Sequence, residues 1–320
     1  MALSQSPTLP VSVRRSAQQR GPFAEMARHW ADYLYVLPAL LVMLLVIGYP
    51  IIYTIYLSFF NTNPSAPTWS FTGLDNYKAI LTDGDIEFWA ITWNTIVWTV
   101  SSTILAFIIG LGAAMVVQRE FIGRGFVRAL LLIPYVISAV PAAYIWRWLL
   151  HSDFGLISGM LMQWGLIDKP IVFLDSTTFA LPSLIVVNVW KEFPFAMIMM
   201  LAGLQTVPEG LLRAARVDGA GAVQAFFHVT VPHLKSVILI TTILLFVGNL
   251  NSFTLPWIMT GGGPANATMI WILKVYTLAF QDLQYGLASA FSVILFIVMV
   301  AFGYYYVKAL TGGGNRREAE

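Results

Sequence analysis

Apolar residues run almost without interruption through 33–60, 89–117, 126–149, 179–204, 236–258 and 285–307. A helix needs about 20 such residues to cross the hydrocarbon core of a bilayer. The pattern therefore predicts an all-α integral membrane protein with about six transmembrane helices. Four of the stretches are clean, whereas the third and fourth carry charge inside or near an end. Pro134 and Pro141 are expected to kink the third.

Between the fourth and fifth stretches lies a segment of different character, 205–235, which is mildly polar yet helix-patterned. Pro208 and Glu209 suit a helix start, because proline is preset for the first turn and an acid favours the positive end of the dipole. A short helix through 211–217 follows, Gly219 and Gly221 permit a sharp break, and 222–230 forms a second short helix before Pro232 opens the next span. Ala214 and Ala215 give the first helix a slim face that fits a groove, with Arg213, Arg216 and Asp218 beside it. Such a segment is either an interfacial helix lying on the membrane or a docking element.

Composition narrows the chemistry. Of 320 residues, 58% are hydrophobic and 11% charged, with a formal net charge of +2, against roughly 25% charged in an average soluble domain. No basic stripe interleaved with aromatics is present, so no nucleic-acid partner is expected. The absence of cysteine excludes disulfides, thiolate metal sites and cysteine catalysis together. The phosphate-binding loop, the zinc-protease helix and the nucleophile-elbow motif are all missing, and four scattered histidines offer no close pair for a metal. No catalytic residue and no metal site are expected. The first apolar run is too long for a signal-peptide core and lacks a small-residue cleavage site after it. The reading divides the chain into an N-terminal tail, 1–32, a transmembrane domain, 33–310, and a C-terminal tail, 311–320.

Lysine and arginine set the orientation. With the N-terminus inside, the inner side holds Arg14, Arg15, Arg20, Arg28, Arg119, Arg124, Arg128, Arg213, Arg216, Lys235, Lys308, Arg316 and Arg317. Only Lys78, Arg147, Lys169, Lys191 and Lys274 fall outside or within spans. Both termini and the 205–235 loop are thus expected to be cytoplasmic. The loops 61–88, 150–178 and 260–284 would then be external, long enough for a docking rim and too short for a separate domain. Arg147, near the outer end of the third stretch, is expected to snorkel to headgroups.

Charge within a span is costly and is a functional candidate by default. Lys191 and Glu192 lie near the middle of the fourth stretch, and Asn188, Lys191, Glu192 and Phe195 follow the i, i+3, i+4, i+7 spacing of one helical face. On the fifth, Asn249 and Ser252 are one turn apart with Asn251 between them, and Pro256 deprives the Ser252 carbonyl of its usual donor. Amides, carboxylates and aromatic rings at this depth can line a pathway for a polar solute. The same groups also serve as interhelical hydrogen bonds that only assemble a bundle. A membrane-embedded enzyme would need a buried nucleophile and base, or an acidic metal motif, at span depth; Asp153, Asp168 and Asp175 all fall in one external loop. A channel or secondary transporter working without ATP would show paired interrupted helices from inverted halves.

Residues 212–232 resemble the coupling motif of the permease subunits of binding-protein-dependent ABC importers. The pattern is an Ala-Ala pair, Asp-Gly-Ala three residues on, an aromatic stretch and then proline, here Ala214-Ala215, Asp218-Gly219-Ala220, Phe226-Phe227 and Pro232. One position departs, since the family usually carries an acid just before the alanines and this chain has Arg213. Further stretches are similar to the carbohydrate branch of that family: 71–77, 134–138 with Trp146-Arg147-Trp148, 202–205 before Pro208, and 285–290. The run ending Thr260-Gly261-Gly262-Gly263-Pro264 is similar to a loop of the maltose-permease larger subunit type. Their shared order extends from about 33 to 310.

The resemblance implies a type I ABC importer permease fold in a bacterial inner membrane. It implies a non-catalytic half-transporter that works with a second permease of the companion type, two ATPase subunits and an extracytoplasmic solute-binding protein. ATP and Mg would then be bound by the ATPase, with no cofactor in this chain. Arg213, Ala214, Ala215, Asp218, Gly219 and Ala220 would contact the ATPase, and Asn188, Lys191, Glu192, Phe195, Asn249, Asn251 and Ser252 would line a sugar pathway. Where the usual acid would meet a basic residue of the ATPase, Arg213 calls for an acid on that partner or a larger share for Glu209 or Asp218. The solute class implied is a disaccharide or oligosaccharide such as maltose or trehalose, with glycerol phosphates or other sugar derivatives as the alternative.

Overall fold

The computed structural model describes residues 30–62 and 69–311. Arg14, Arg15, Arg20, Arg28, Arg316 and Arg317, with the rest of 1–29 and 312–320, lie outside the described residues. The chain divides into two units, Met1–Tyr53 and Thr54–Glu320.

In the first unit, α1 (Trp30–Met43) passes through one π-helical turn, Leu44–Gly48, into α2 (Tyr49–Leu57), within which the second unit begins. Pro50, two residues past the π turn, has no N–H with which to continue the ladder. Within Leu34–Leu57 the most apolar window has a mean hydropathy of 2.4 and no buried residue. A helix apolar all round suits a bilayer.

The second unit starts with a short antiparallel ladder, β1 (Phe60–Asn61) on β2 (Ser70–Phe71), with Phe60 opposite Phe71. Then come α3 (Asp75–Thr82), α4 (Phe88–Gln118), α5 (Arg124–Val136), α6 (Ala139–Leu149), α7 (Leu156–Gln163) and α8 (Ala180–Leu204). After the loop helices α9 (Glu209–Val217), α10 (Ala222–Ala225) and α11 (Val231–His233) follow α12 (Lys235–Leu250), α13 (Thr254–Met259), α14 (Trp271–Tyr276) and α15 (Tyr285–Thr311). Among the described residues five helical segments are long and apolar enough to cross a membrane, or six if α5 and α6 together count as one.

The pair α4 and α8 forms the axis of this unit. α4 has 31 residues, about 46 Å at 1.5 Å per residue, longer than the hydrocarbon core is thick. Its buried face carries Ala106, Gly110 and Ala114 at four-residue spacing, the small-residue stripe that lets helix backbones approach in lipid. A Cβ on Gly110 would lie 2.5 Å from Ala196 Cβ and 2.7 Å from the Phe193 carbonyl, both on α8. Only glycine fits there. Met197, Met200, Leu201 and Leu204 of α8 close the same seam with Val117 and Leu234.

Two of the resembling stretches meet. Asn76, at the start of α3, donates to the carbonyls of Ser58 (2.9 Å) and Phe60 (3.0 Å). Gly286, in the first turn of α15, approaches the same Phe60 carbonyl so closely that a Cβ would stand 1.9 Å from it. The Gly286 N–H donates to the Thr62 hydroxyl. The glycine-proline loop is fastened as firmly, with Asn94 of α4 donating to the Asn266 and Met269 carbonyls.

Two expected single helices are broken. The third span bends by 96° between α5 and α6. The break sits at Ile137 and Ser138, between the two prolines expected to kink it, where the backbone is extended. The fifth span ends at Leu250 and restarts at Thr254. Asn251 and Ser252 therefore lie in the break rather than on a helix, and Pro256 falls in the first turn of α13, where a missing N–H costs nothing. Arg147 does not extend freely toward headgroups; its Nη1 donates to the Ile258 carbonyl of α13 at 3.0 Å.

Candidate functional site

The candidate residues fall in two places. The first is mid-span. Asn188 of α8 and Asn249 of α12 are each 3% exposed. Asn188 Nδ2 donates to Asn249 Oδ1 at 2.7 Å, and Asn249 Nδ2 donates onward to Thr103 Oγ1 of α4 at 3.1 Å. Trp98 Nε1 donates to the backbone carbonyl of Asn249 at 2.9 Å. Three spans are thereby tied at one level by a directed chain of hydrogen bonds. Each bond of this kind in a membrane is worth about 0.6 kcal/mol and at most about 1.7.

The expected single face of α8 is divided in use. Asn188 reaches α12, whereas Lys191 Nζ donates to the Ile137 carbonyl at 3.0 Å and the Phe195 ring stacks on Tyr135, both toward the α5 end of the third span. Glu192 is half-buried beside them. Asn251 is exposed, with its Nδ2 on the Val247 carbonyl at 2.8 Å, and Ser252 is half-buried. Sequence reasoning missed Thr95, Trp98 and Thr103 on α4. Their only signal is a run of hydroxyl residues, Thr95, Thr99, Ser102 and Thr103, on the buried side of an otherwise apolar helix. Of these, Thr99 and Ser102 have buried hydroxyls without a hydrogen-bond partner among the described residues.

The second place is the 205–235 loop. α9 is held at both ends by the chemistry its sequence supplies: Pro208 precedes it in extended geometry, Glu209 opens its first turn, and Arg216 lies in its last turn. Gly219 takes a left-handed φ of +84°. Its N–H bonds to the Arg216 carbonyl at 3.1 Å and that of Ala220 to the Ala215 carbonyl at 2.9 Å, which closes the helix as a Schellman motif. Asp218 and Gly219 are exposed and Ala220 half-buried. The second short helix is α-helical only to Ala225; Phe226–Thr230 is a π turn, and Pro232 lies in α11 before the span begins at Lys235.

α9 has no buried residue. Leu212 and Ala215 are half-buried, whereas Ala214 points outward, so the two alanines do not share one face. Outward, Val217 is 87% exposed, and the following Val223 and Phe227 are 71% and 60% exposed. Arg213 faces Glu209 at 3.9 Å with both side chains largely exposed, a pair of little energetic weight. A cleft of about 580 Å³ lies against the inner side of α9, lined in part by Gln118, Gln205, Leu212 and Arg216. Among the described residues no group of His, Cys, Asp and Glu is arranged to hold a metal.

The fold is that of an all-α chain whose apolar spans are tied together by buried amides, with a loop helix exposed along one side following one of them. Residues 102–311 match the family described as binding-protein-dependent transport system inner membrane component, and the chain belongs to it. It is a non-catalytic permease subunit of ABC importers. The chain is 33% identical over 279 residues to the trehalose/maltose transport system permease of Thermococcus litoralis, covering 86% of this chain and 92% of that one. It is 34% identical over 280 residues to the sulfoquinovosyl glycerol transport system permease of Agrobacterium fabrum, covering 87% and 89%. A bacterial ABC transporter involved in import of the acidic polysaccharide alginate has the same fold, with a TM-score of 0.73 at 22% identity over 90% of this chain and 99% of that one.

Proposed function

We propose that the chain forms half of the translocation pathway of an ATP-driven sugar importer in a bacterial inner membrane, with a disaccharide or oligosaccharide such as trehalose or maltose as solute. The other half is a companion permease, ATP and Mg are bound by two ATPase subunits, and an extracytoplasmic solute-binding protein delivers the sugar. Both termini and the 205–235 loop face the cytoplasm. The single observation that carries this reading is the exposed apolar face of α9, with Leu211 and Val217 on it, just past the end of α8. Docked on an ATPase, that face would deliver closure of the ATPase pair to α8 through the four residues 205–208. Asn188, Lys191, Glu192, Phe195, Asn249, Asn251 and Ser252 would then stand along or beside the pathway that opens.

A sugar derivative is the second reading, favoured by the likeness to a sulfoquinovosyl glycerol permease. One experiment separates the two. The chain is purified with its permease, ATPase and binding-protein partners in nanodiscs, and ATPase stimulation is measured across neutral disaccharides, sulfonated sugars and glycerol phosphates. Stimulation by a neutral disaccharide is the expected result. Stimulation by anionic derivatives alone would give the solute to the second reading, and failure of any ATPase subunit to associate would refute the importer reading.

A further inference from the structure

The elbow of the third span has a sequence cause and an external fastening. In a continuous helix the Ile137 carbonyl would accept from the N–H of residue 141, but that residue is Pro141 and has none. Ile137 also caps the C-terminus of α5, beside the negative end of the helix dipole. The donor comes from α8, as Lys191 Nζ lies 3.0 Å from this carbonyl. On either side of that bond α8 grips both arms of the elbow. The Trp190 ring meets Trp146 of α6 edge-on at 5.3 Å, and Phe195 stacks on Tyr135 of α5 at 6.1 Å.

From this we infer that Lys191 is a positioning residue of the transport cycle, a cationic clasp that sets the bend of the third span and makes it follow α8, and is not a contact for the solute. The inference rests on the importer reading for its consequence, because α8 runs within four residues into α9. A pull on α9 reaches the elbow through Trp190, Lys191 and Phe195. The elbow then opens or closes as a unit.

The chain has no cysteine, so spin labels at Leu130→Cys on α5 and Tyr144→Cys on α6, both exposed, report the elbow alone. In the assembled complex, electron-electron resonance should give one narrow distance distribution for the parent and for Lys191→Arg, and a broadened or shifted one for Lys191→Met. Loss of a charge-assisted bond should lower the maximal uptake rate on the order of tenfold. The sugar KM should stay within about twofold, because uniform binding is untouched. If Lys191→Met does not assemble, Lys191→Gln, which keeps a donor without the charge, should broaden the distribution less while retaining its mean. An unchanged distribution in both variants, or a raised KM with the elbow unaltered, would overturn the inference. The label measurement needs no sugar, so absence of ATP-driven uptake would refute the importer reading while leaving the clasp to be decided by the distances.

Discussion

The mid-span cluster of α8 and the loop helix α9 lie a few turns apart on one continuous piece of chain, yet they treat their side chains in opposite ways. Asn188, Lys191 and Phe195 are engaged by α12, the elbow and α5 in turn. Leu211, Ala214 and Val217 of α9 are exposed. In a medium without water a polar group must find an internal partner. At an aqueous end, an apolar face without cover calls for a partner from outside. On the proposed function, the first region holds this chain together beside the pathway, and the second holds this chain to another.

Glycine gives the sharpest way to break the comparison. Gly110→Val in the α4–α8 seam should destabilise the purified subunit by about 1–3 kcal/mol through overpacking. Gly210→Ala in α9 has no heavy atom within 4 Å of its new Cβ. It should be neutral or stabilising by less than about 1 kcal/mol. Thermal unfolding in detergent reads both. Equal losses at the two positions would remove the distinction between a packed region and a bare one.

Next in size is the amide chain. A double-mutant cycle on Asn188→Ala and Asn249→Ala, followed by unfolding in lipid bicelles, should give a coupling of about 0.6–1.7 kcal/mol. Additive single effects would show that the pair does not act as a clasp. On α4, Thr103→Ala removes the acceptor of Asn249 and should lower stability by about 1 kcal/mol, whereas Ser102→Ala removes a hydroxyl buried without a hydrogen-bond partner among the described residues and should be neutral or stabilising.

The smallest effect belongs to the surface pair. Arg213→Ala should leave unfolding unchanged, because both partners are largely exposed, and should weaken ATPase association by about twofold to fivefold as a rim charge does. Arg213→Glu sharpens the point. If it assembles as well as the parent or better, the idea that Arg213 meets an acid on the ATPase is wrong.

Much of this was legible in the sequence, for identifiable reasons. Long apolar runs marked the spans, because lipid imposes one solution on the backbone. Pro208, Glu209 and Gly219 marked α9, because caps act within a few residues of the helix they bound. The 96° elbow was only half legible. Pro134 and Pro141 announced a bend, but whether they kink one helix or divide it depends on a donor from α8 that no local pattern shows. The Asn188–Asn249 bond joins residues 61 apart, and its existence depends on how two helices are rotated against each other. Each asparagine could be singled out alone, while the pairing, and the place of Thr103 and Trp98 in it, could not. Ser252 was assigned to a helix because the run of apolar residues does not reveal where the fifth span breaks.

The central claim is that α9 serves an external partner and the mid-span cluster does not, and site-directed cross-linking on the cysteine-free chain tests it most directly. With a photo-activated reagent on Ala214→Cys in the assembled importer, the account predicts an adduct between this chain and the ATPase subunit that strengthens when ATP closes the ATPase pair. Adducts to lipid alone, in a complex that still hydrolyses ATP, would contradict it.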